Sequence, residues 1–294
     1  MVWNSGWKLA SAVSNAGGLG LIGAGSMYPD TLREHIKKCK AATKHPFGVN
    51  IPLLYPNIEE LIKVILEEKV NIVFTSAGNP KTWTEILKKE GVIVAHVVSS
   101  TKFALKSQEA GVDVVVAEGF EAGGHNGREE TTTFCLIPNV RQHISIPLIA
   151  AGGIATGEQI LAALSLGADG VQIGSRFAAT QESSANQDFK NLIIDTNEGD
   201  TQLTLKELAP VRLIKNHFYN KVLQKYSDGA TTDELKDFLG KGRSKKGMFE
   251  GDLINGELEI GQVASLINSI PTVAEIFDEL LVDFDEAKKR MLNF

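Results

Sequence analysis

Cysteine is scarce in this chain: Cys39 and Cys135 are the two, and they stand in no paired motif. That argues against a disulfide framework or a paired-cysteine zinc site and for a reducing compartment. No apolar run approaches about 18 residues, so no transmembrane helix is expected. The opening Met1-Val2-Trp3-Asn4 lacks the charged region and long apolar core of a secretory signal. Basic charge is also short, with 30 Lys and Arg against 36 Asp and Glu and a net charge of −6. A mildly acidic chain without a basic block is a poor partner for nucleic acid or an anionic membrane. The one basic cluster, Lys241, Arg243, Lys245 and Lys246, has the size of a solvated loop. The expectation is a soluble cytoplasmic protein acting on a small molecule.

Several catalytic motifs are missing as well. There is no G-x-x-x-x-G-K-[ST], no H-E-x-x-H and no G-x-S-x-G, so nucleotide hydrolysis, zinc proteolysis and serine hydrolysis have no support. No metal site is expected. Gly18-Leu19-Gly20-Leu21-Ile22-Gly23 fits the spacing of the dinucleotide fingerprint. Its order is wrong, because a helix-like segment precedes the glycines and they run into a strand.

What the chain has is alternation. Apolar, strand-like runs at 19–25, 47–52, 71–78, 92–98, 112–118, 147–153 and 170–175 take turns with helix-like segments at 7–16, 29–43, 58–68, 81–90, 102–110, 136–143 and 157–166. Such spacing means a parallel sheet with helical crossovers. The strands are apolar on both sides, as strands buried on both faces should be. A closed TIM (β/α)8 barrel needs eight strands. Seven are countable, and the chain opens on what reads as the loop after a first strand, so the expected fold is that barrel lacking its first strand. The barrel is expected over 1–180. Over 181–294 a mainly helical appendage is expected to pack on it, with helices at 211–226, 232–239, 261–270 and 272–289.

Chemistry in such barrels sits at the C-terminal strand ends. Two consecutive strands end in glycine, at Gly152-Gly153 and at Gly174-Ser175. Glycine lets backbone N–H groups approach phosphate oxygens, and the Ser175 hydroxyl adds a donor; the same glycines could simply turn the chain. His125 is the one histidine on a glycine-rich loop at a strand end, in Glu118-Gly119-Phe120-Glu121-Ala122-Gly123-Gly124-His125-Asn126-Gly127. That placement suits proton transfer or a hydrogen bond to a substrate oxygen. Asn50 is a polar amide in an apolar strand, either a turn cap or a hydrogen-bond partner for a flat polar ring. Glu118 could bind a sugar hydroxyl, orient a neighbour or be solvated. His96 lies within a strand, as a satisfied core residue or a pocket wall.

Taken in order, Ala16-Gly17-Gly18-Leu19-Gly20, Phe47-Gly48-Val49-Asn50, Ala77-Gly78-Asn79-Pro80, the 118–127 loop, Ala150-Ala151-Gly152-Gly153-Ile154 and Gln172-Ile173-Gly174-Ser175-Arg176-Phe177 resemble the nitronate monooxygenase family, formerly 2-nitropropane dioxygenases. That family includes the flavin-dependent enoyl-acyl-carrier-protein reductases of type II. The resemblance implies an FMN-binding barrel in which Gly152, Gly153, Gly174 and Ser175 hold the FMN phosphate. It also implies that Asn50 hydrogen-bonds the flavin ring system, and that the backbone of Met1 lies against it as part of the loop after the first strand. His125 matches the family's active-site histidine. The implied reaction is oxidation of alkyl nitronates with O2 to a carbonyl compound and nitrite. The alternative is NAD(P)H-dependent reduction of an enoyl thioester, and the resemblance leaves room for a homodimer.

Overall fold

In the computed structural model, which describes residues 1–55 and 57–293, the barrel part runs α1 (Trp7–Asn15), β1 (Gly20–Gly23), α2 (Pro29–Ala42), β2 (Phe47–Pro52), α3 (Ile58–Glu67), β3 (Ile72–Ser76), α4 (Thr84–Lys89), β4 (Ile93–Val98), α5 (Thr101–Glu109), β5 (Val114–Glu118), β6 (Gly124–His125), α6 (Thr133–Arg141), β7 (Leu148–Ala151), α7 (Gly157–Ser165), β8 (Gly170–Gln172) and α8 (Ser175–Ala178). The appendage adds α9 (Gln187–Ile194), β9 (Thr201–Thr204), β10 (Val211–Ile214), α10 (His217–Ser227), α11 (Thr232–Leu239) and α12 (Val273–Met291).

The expected parallel sheet is present. Its seven strands pair in the order β1-β2-β3-β4-β5-β7-β8, each parallel to its neighbour. Alternation splits the strand residues between two cores. Val49, Ile51, Val73, Val94, Val98, Val115, Ala117, Leu148 and Ala150 pack in one cluster with helix residues such as Leu32, Ile36, Leu61 and Ile65. Phe74, Ala95, Val116 and Ala151 form the other, with Leu21, Ile72, Val97, Val114 and Ile149 against it. The sheet is therefore curled, with helices outside and a side-chain core within.

The curl does not close by strand pairing. Among the described residues β1 pairs only with β2, and β8 only with β7. The free edge of β1 is partly met by the segment before α1: the Gly23 N–H donates to the Ser5 carbonyl at 2.9 Å, and the Ser5 hydroxyl donates to the Leu21 carbonyl at 2.5 Å. On the outside, α12 bridges the seam, packing along α7 and reaching α1. Its start is a full capping box. The Thr272 hydroxyl accepts from the Glu275 N–H, and the Glu275 carboxylate accepts from the Thr272 N–H. Gly157, at the start of α7, permits the contact: a Cβ there would lie 2.2 Å from the Phe284 nitrogen and 2.3 Å from the Leu280 carbonyl oxygen.

The appendage departs from the expectation in several places; helix α9 and strand β9 stand where no element was expected. Residues 211–226 were expected as one helix, but the first part is strand β10, buried throughout, and α10 begins only at His217. The physical reason is pairing: β10 lies antiparallel between β9 and β6. The helix must then start anew, and the Asn216 side chain caps it by accepting from the Tyr219 N–H at 3.0 Å. Residues 261–270 were also expected as a helix, yet only a short 3₁₀ turn forms, at Gln262–Leu266. Its entry is pinned, with the Gly261 N–H on the Ser175 hydroxyl and the Gln262 N–H on the Glu121 carbonyl. In the barrel part, α6 starts at Thr133 rather than 136, because the Glu121 carboxylate accepts from the Thr133 N–H and hydroxyl and ties down that turn.

Candidate active site

The C-terminal ends of β5, β7 and β8 converge on one cavity of about 600 Å³. Gly152 and Gly153 follow β7 directly, with φ of +87° and +71°, a region that favours glycine. A Cβ on Gly152 would lie 2.7 Å from the Gly119 carbonyl oxygen, so the two loops pass backbone to backbone. Gly174 and Ser175 follow β8 on the far side of the same cavity. Space beside Gly174 is open, with nothing near a built Cβ. Ser175 accepts a hydrogen bond from the Gly261 N–H at 3.0 Å, which leaves its own O–H proton free to donate inward.

The structure brings Met1, Gly152, Gly153, Gly174 and Ser175 to one cavity wall. It does not bring the other two expected residues there. Asn50 is buried on the inner face of β2, and its Nδ2 donates to the Phe74 carbonyl at 3.3 Å. His125 is exposed, and its strand β6 pairs antiparallel with β10, so that His125 lies opposite Val211. Its chain neighbours Ala122 and Gly123 line the cavity; the imidazole does not. His96 faces away from the cavity. It is buried with its Nδ1 2.7 Å from the Thr75 hydroxyl, and burial lowers its pKa to about 4.

Residues not singled out from the sequence complete the wall. The Oε1 of Gln172 and the Oδ1 of Asn4 are buried without a hydrogen-bond partner, and both residues line the cavity. Orphaned acceptors of this kind are costly unless a donor arrives from something bound there. Gln172 carried the signal used for Asn50, a polar amide in an apolar strand. Glu118, already singled out as a strand-end acid, joins Glu121 and Glu259 in supplying carboxyl groups to the wall, and among the described residues no Lys, Arg or His side chain lines it. Burial pushes the Glu118 carboxyl up to about 7. Glu259 arrives on the segment 257–262, a strap along the cavity lining hydrogen-bonded to Ser175 and Glu121. Next to it the Glu257 carboxyl is also raised, by burial first and the Glu259 charge second.

A seam continues from this polar end. Leu9, Val13 and Leu21 on one bank and Ile149, Ile160 and Ile173 on the other line the cavity's apolar length, with Phe277 and Leu280 of α12 as its roof. This is the space between β1 and β8 that no strand fills among the described residues.

Comparison with known proteins gives a consistent picture. The family model described as nitronate monooxygenase matches residues 1–62 and 54–283. A probable nitronate monooxygenase from Staphylococcus saprophyticus is 31% identical over 92% of this chain and 88% of its own length. Among solved structures, FabK from Thermotoga maritima superposes with a TM-score of 0.94 at 40% identity, covering 100% of this chain and 93% of its own. A nitroalkane oxidase from Streptomyces ansochromogenes superposes with a TM-score of 0.84 at 28% identity, covering 98% and 94%.

Proposed function

The chain belongs to the nitronate monooxygenase family and is an oxidoreductase, and from that premise we propose that it binds FMN in the cavity between β5, β7 and β8 and oxidises alkyl nitronates with O2. The observation that carries the cofactor assignment is the cradle itself. Two glycines with positive φ face an open glycine and a serine hydroxyl across one cavity, with the unpartnered Gln172 Oε1 between β7 and the seam. Gly152, Gly153, Gly174 and Ser175 would hold the phosphate through backbone N–H groups and one hydroxyl. Gln172 Oε1 would accept from a sugar hydroxyl or ring N–H. The backbone of Met1 would lie along the ring; Asn50, off the cavity lining with its Nδ2 on the Phe74 carbonyl, would have to release that bond to reach it. Bound there, FMN supplies the electron transfer from nitronate and on to O2 that yields a carbonyl compound and nitrite.

In this reading residues 1–180 carry the cofactor and residues 181–294 cover it. The protein's part is to position the substrate, exclude water and set the local charge. His125, two residues from the cavity wall, is assigned to the substrate's nitro oxygens. His125→Ala should keep the yellow flavin colour and lose turnover by roughly 10²-fold, the range for a general acid–base group; full turnover would remove it from the site.

A second reading, NAD(P)H-dependent reduction of an enoyl thioester, is favoured by the 40% identity to FabK over the whole chain. Stopped-flow reduction of the bound flavin separates the two. Rapid bleaching by an alkyl nitronate without NADH supports the oxidase, and bleaching by NADH that an enoyl thioester reverses supports the reductase. A protein that stays colourless in excess FMN would sink both.

A further inference from the structure

Arg212, on β10, is among the largest buried side chains of the fold, and only 2% of it is exposed. The carboxylates whose charge reaches it are engaged elsewhere, Glu121 by Thr133 and Glu130 by Lys206. A buried cation without an ion-pair partner is costly unless other groups solvate it. Here those groups belong to the histidine loop. Nε and Nη2 both donate to the Phe120 carbonyl, at 3.2 and 3.1 Å, and Nη1 donates to the Thr201 hydroxyl at 3.4 Å. The guanidinium carbon also lies 4.5 Å from the centre of the Phe120 ring, a cation–π contact.

The backbone of the same residue lies opposite Gly124 in the β6–β10 pairing. Arg212 therefore grips the loop at 120 and at 124, on either side of Ala122 and Gly123, which line the cavity. The second grip is one residue before His125. Other groups close the span between. The Glu121 carbonyl accepts from the Gln262 N–H at 2.9 Å, and the Ala122 carbonyl accepts from the Asn126 Nδ2 at 2.8 Å. Gly123 is packed too tightly for a side chain, since a Cβ there would lie 2.4 Å from the Ile260 carbonyl carbon. Two N–H groups of a planar fork on one oxygen fix the orientation of that peptide, which a lysine ammonium at the same place would not do.

We propose that Arg212 is the positioning residue of the histidine loop: its fork on the Phe120 carbonyl, its stacking on the Phe120 ring and its backbone opposite Gly124 hold His125 in place beside the cavity. It lines no part of that cavity, and it acts on turnover through His125 alone. This rests on the assignment of His125 to the substrate given above.

The test is a double-mutant cycle on the oxidation of propyl-1-nitronate, with FMN-loaded wild type, His125→Ala, Arg212→Lys and the combined variant. Arg212→Lys keeps the charge and loses the fork. Its kcat should fall on the order of 10²-fold, the cost of a misplaced catalytic group, with the flavin spectrum and FMN affinity retained. On the His125→Ala background the same substitution should add little, because residues that act as a unit are not additive. Losses that multiply overturn the proposal. So does full activity of Arg212→Lys, and so does a variant whose only defect is weaker FMN binding. Where Arg212→Lys does not fold, Phe120→Leu takes its place in the cycle; it removes the stacked ring, keeps the carbonyl, and should give the same non-multiplying loss. Amide hydrogen exchange supplies a readout independent of turnover. Residues 119–127 should exchange faster in either variant than in wild type while the parallel sheet is unchanged, and equal exchange there overturns the proposal. If wild type leaves the nitronate unoxidised, the nitronate reading fails; if His125→Ala alone keeps full turnover, the histidine assignment fails. In both cases the exchange measurement still decides whether Arg212 holds the loop.

Discussion

Burial tunes single side chains here in opposite directions. His96 is held neutral in the fold, with its pKa lowered from 6.5 to about 4. The unfolded chain takes up that proton below 6.5 and the folded chain refuses it until about 4, so stability should fall as pH drops across this window. A shift of this size corresponds to about 3 kcal/mol. Urea midpoints measured through the window should show the loss, and His96→Gln should remove most of it. Glu118 works the other way. Its carboxyl is raised from 4.5 to about 7, so the unfolded state ionises first and stability is given up as pH rises between those values. Glu121 offers a simpler case, because its carboxylate takes the N–H and hydroxyl of Thr133 at the start of α6. Glu121→Ala should cost about 1–2 kcal/mol in the manner of a lost helix cap, read as a lowered urea midpoint with the fold retained.

At the scale of elements, α7 and α12 meet where a backbone can approach only glycine. Gly157→Ala would set a methyl 2.2 Å from the Phe284 nitrogen, and the helices must separate. The expected cost is about 1–3 kcal/mol of overpacking, visible as a lowered thermal midpoint. The elements also mark how far the sequence could be read. The seven sheet strands were legible because each is an apolar, β-branched run flanked by turn residues, and the order of the sheet followed from helical crossovers. Strands β9 and β10 were not. Val211-Arg212-Leu213-Ile214 is too short for a period of 2 to be told from one of 3.6, and it runs straight into the amphipathic residues of α10. Its identity is decided by distant partners, β9 and β6. The glycine cradle was legible for the opposite reason, since strand end and glycine are adjacent in the chain. The position of His125 was not, because it depends on β10, more than eighty residues later. Gln172 and Asn4 became visible only through their buried, unpartnered oxygens and their place on the cavity lining.

For the whole molecule the seam is the dominant feature. Among the described residues the two edge strands stand unpaired to one another, and an apolar trough lies between them under α12. Exposed strand edges invite pairing with other chains. Joining an extended apolar segment of strand length ahead of Met1 should let it pair with both β1 and β8. The extended protein should show a higher thermal midpoint and weaker binding of a hydrophobic dye, at the same protein concentration, than the chain described here. An extension that leaves both unchanged would mean that the trough does not accept a strand.

The small sheet β6-β10-β9 has a consequence of another kind. His125 belongs to the barrel by its place in the chain, yet its backbone partner is Val211 of the appendage. In the same way the Ser175 hydroxyl is met by Gly261 from the strap. The two halves are therefore poor candidates for independent inheritance. A chimera that takes residues 1–180 from one relative and the remainder from another would exchange the register that sets the histidine loop. Over evolutionary time, change of substrate in this architecture should leave paired marks, one in the glycine-rich loop and one in the strand that holds it.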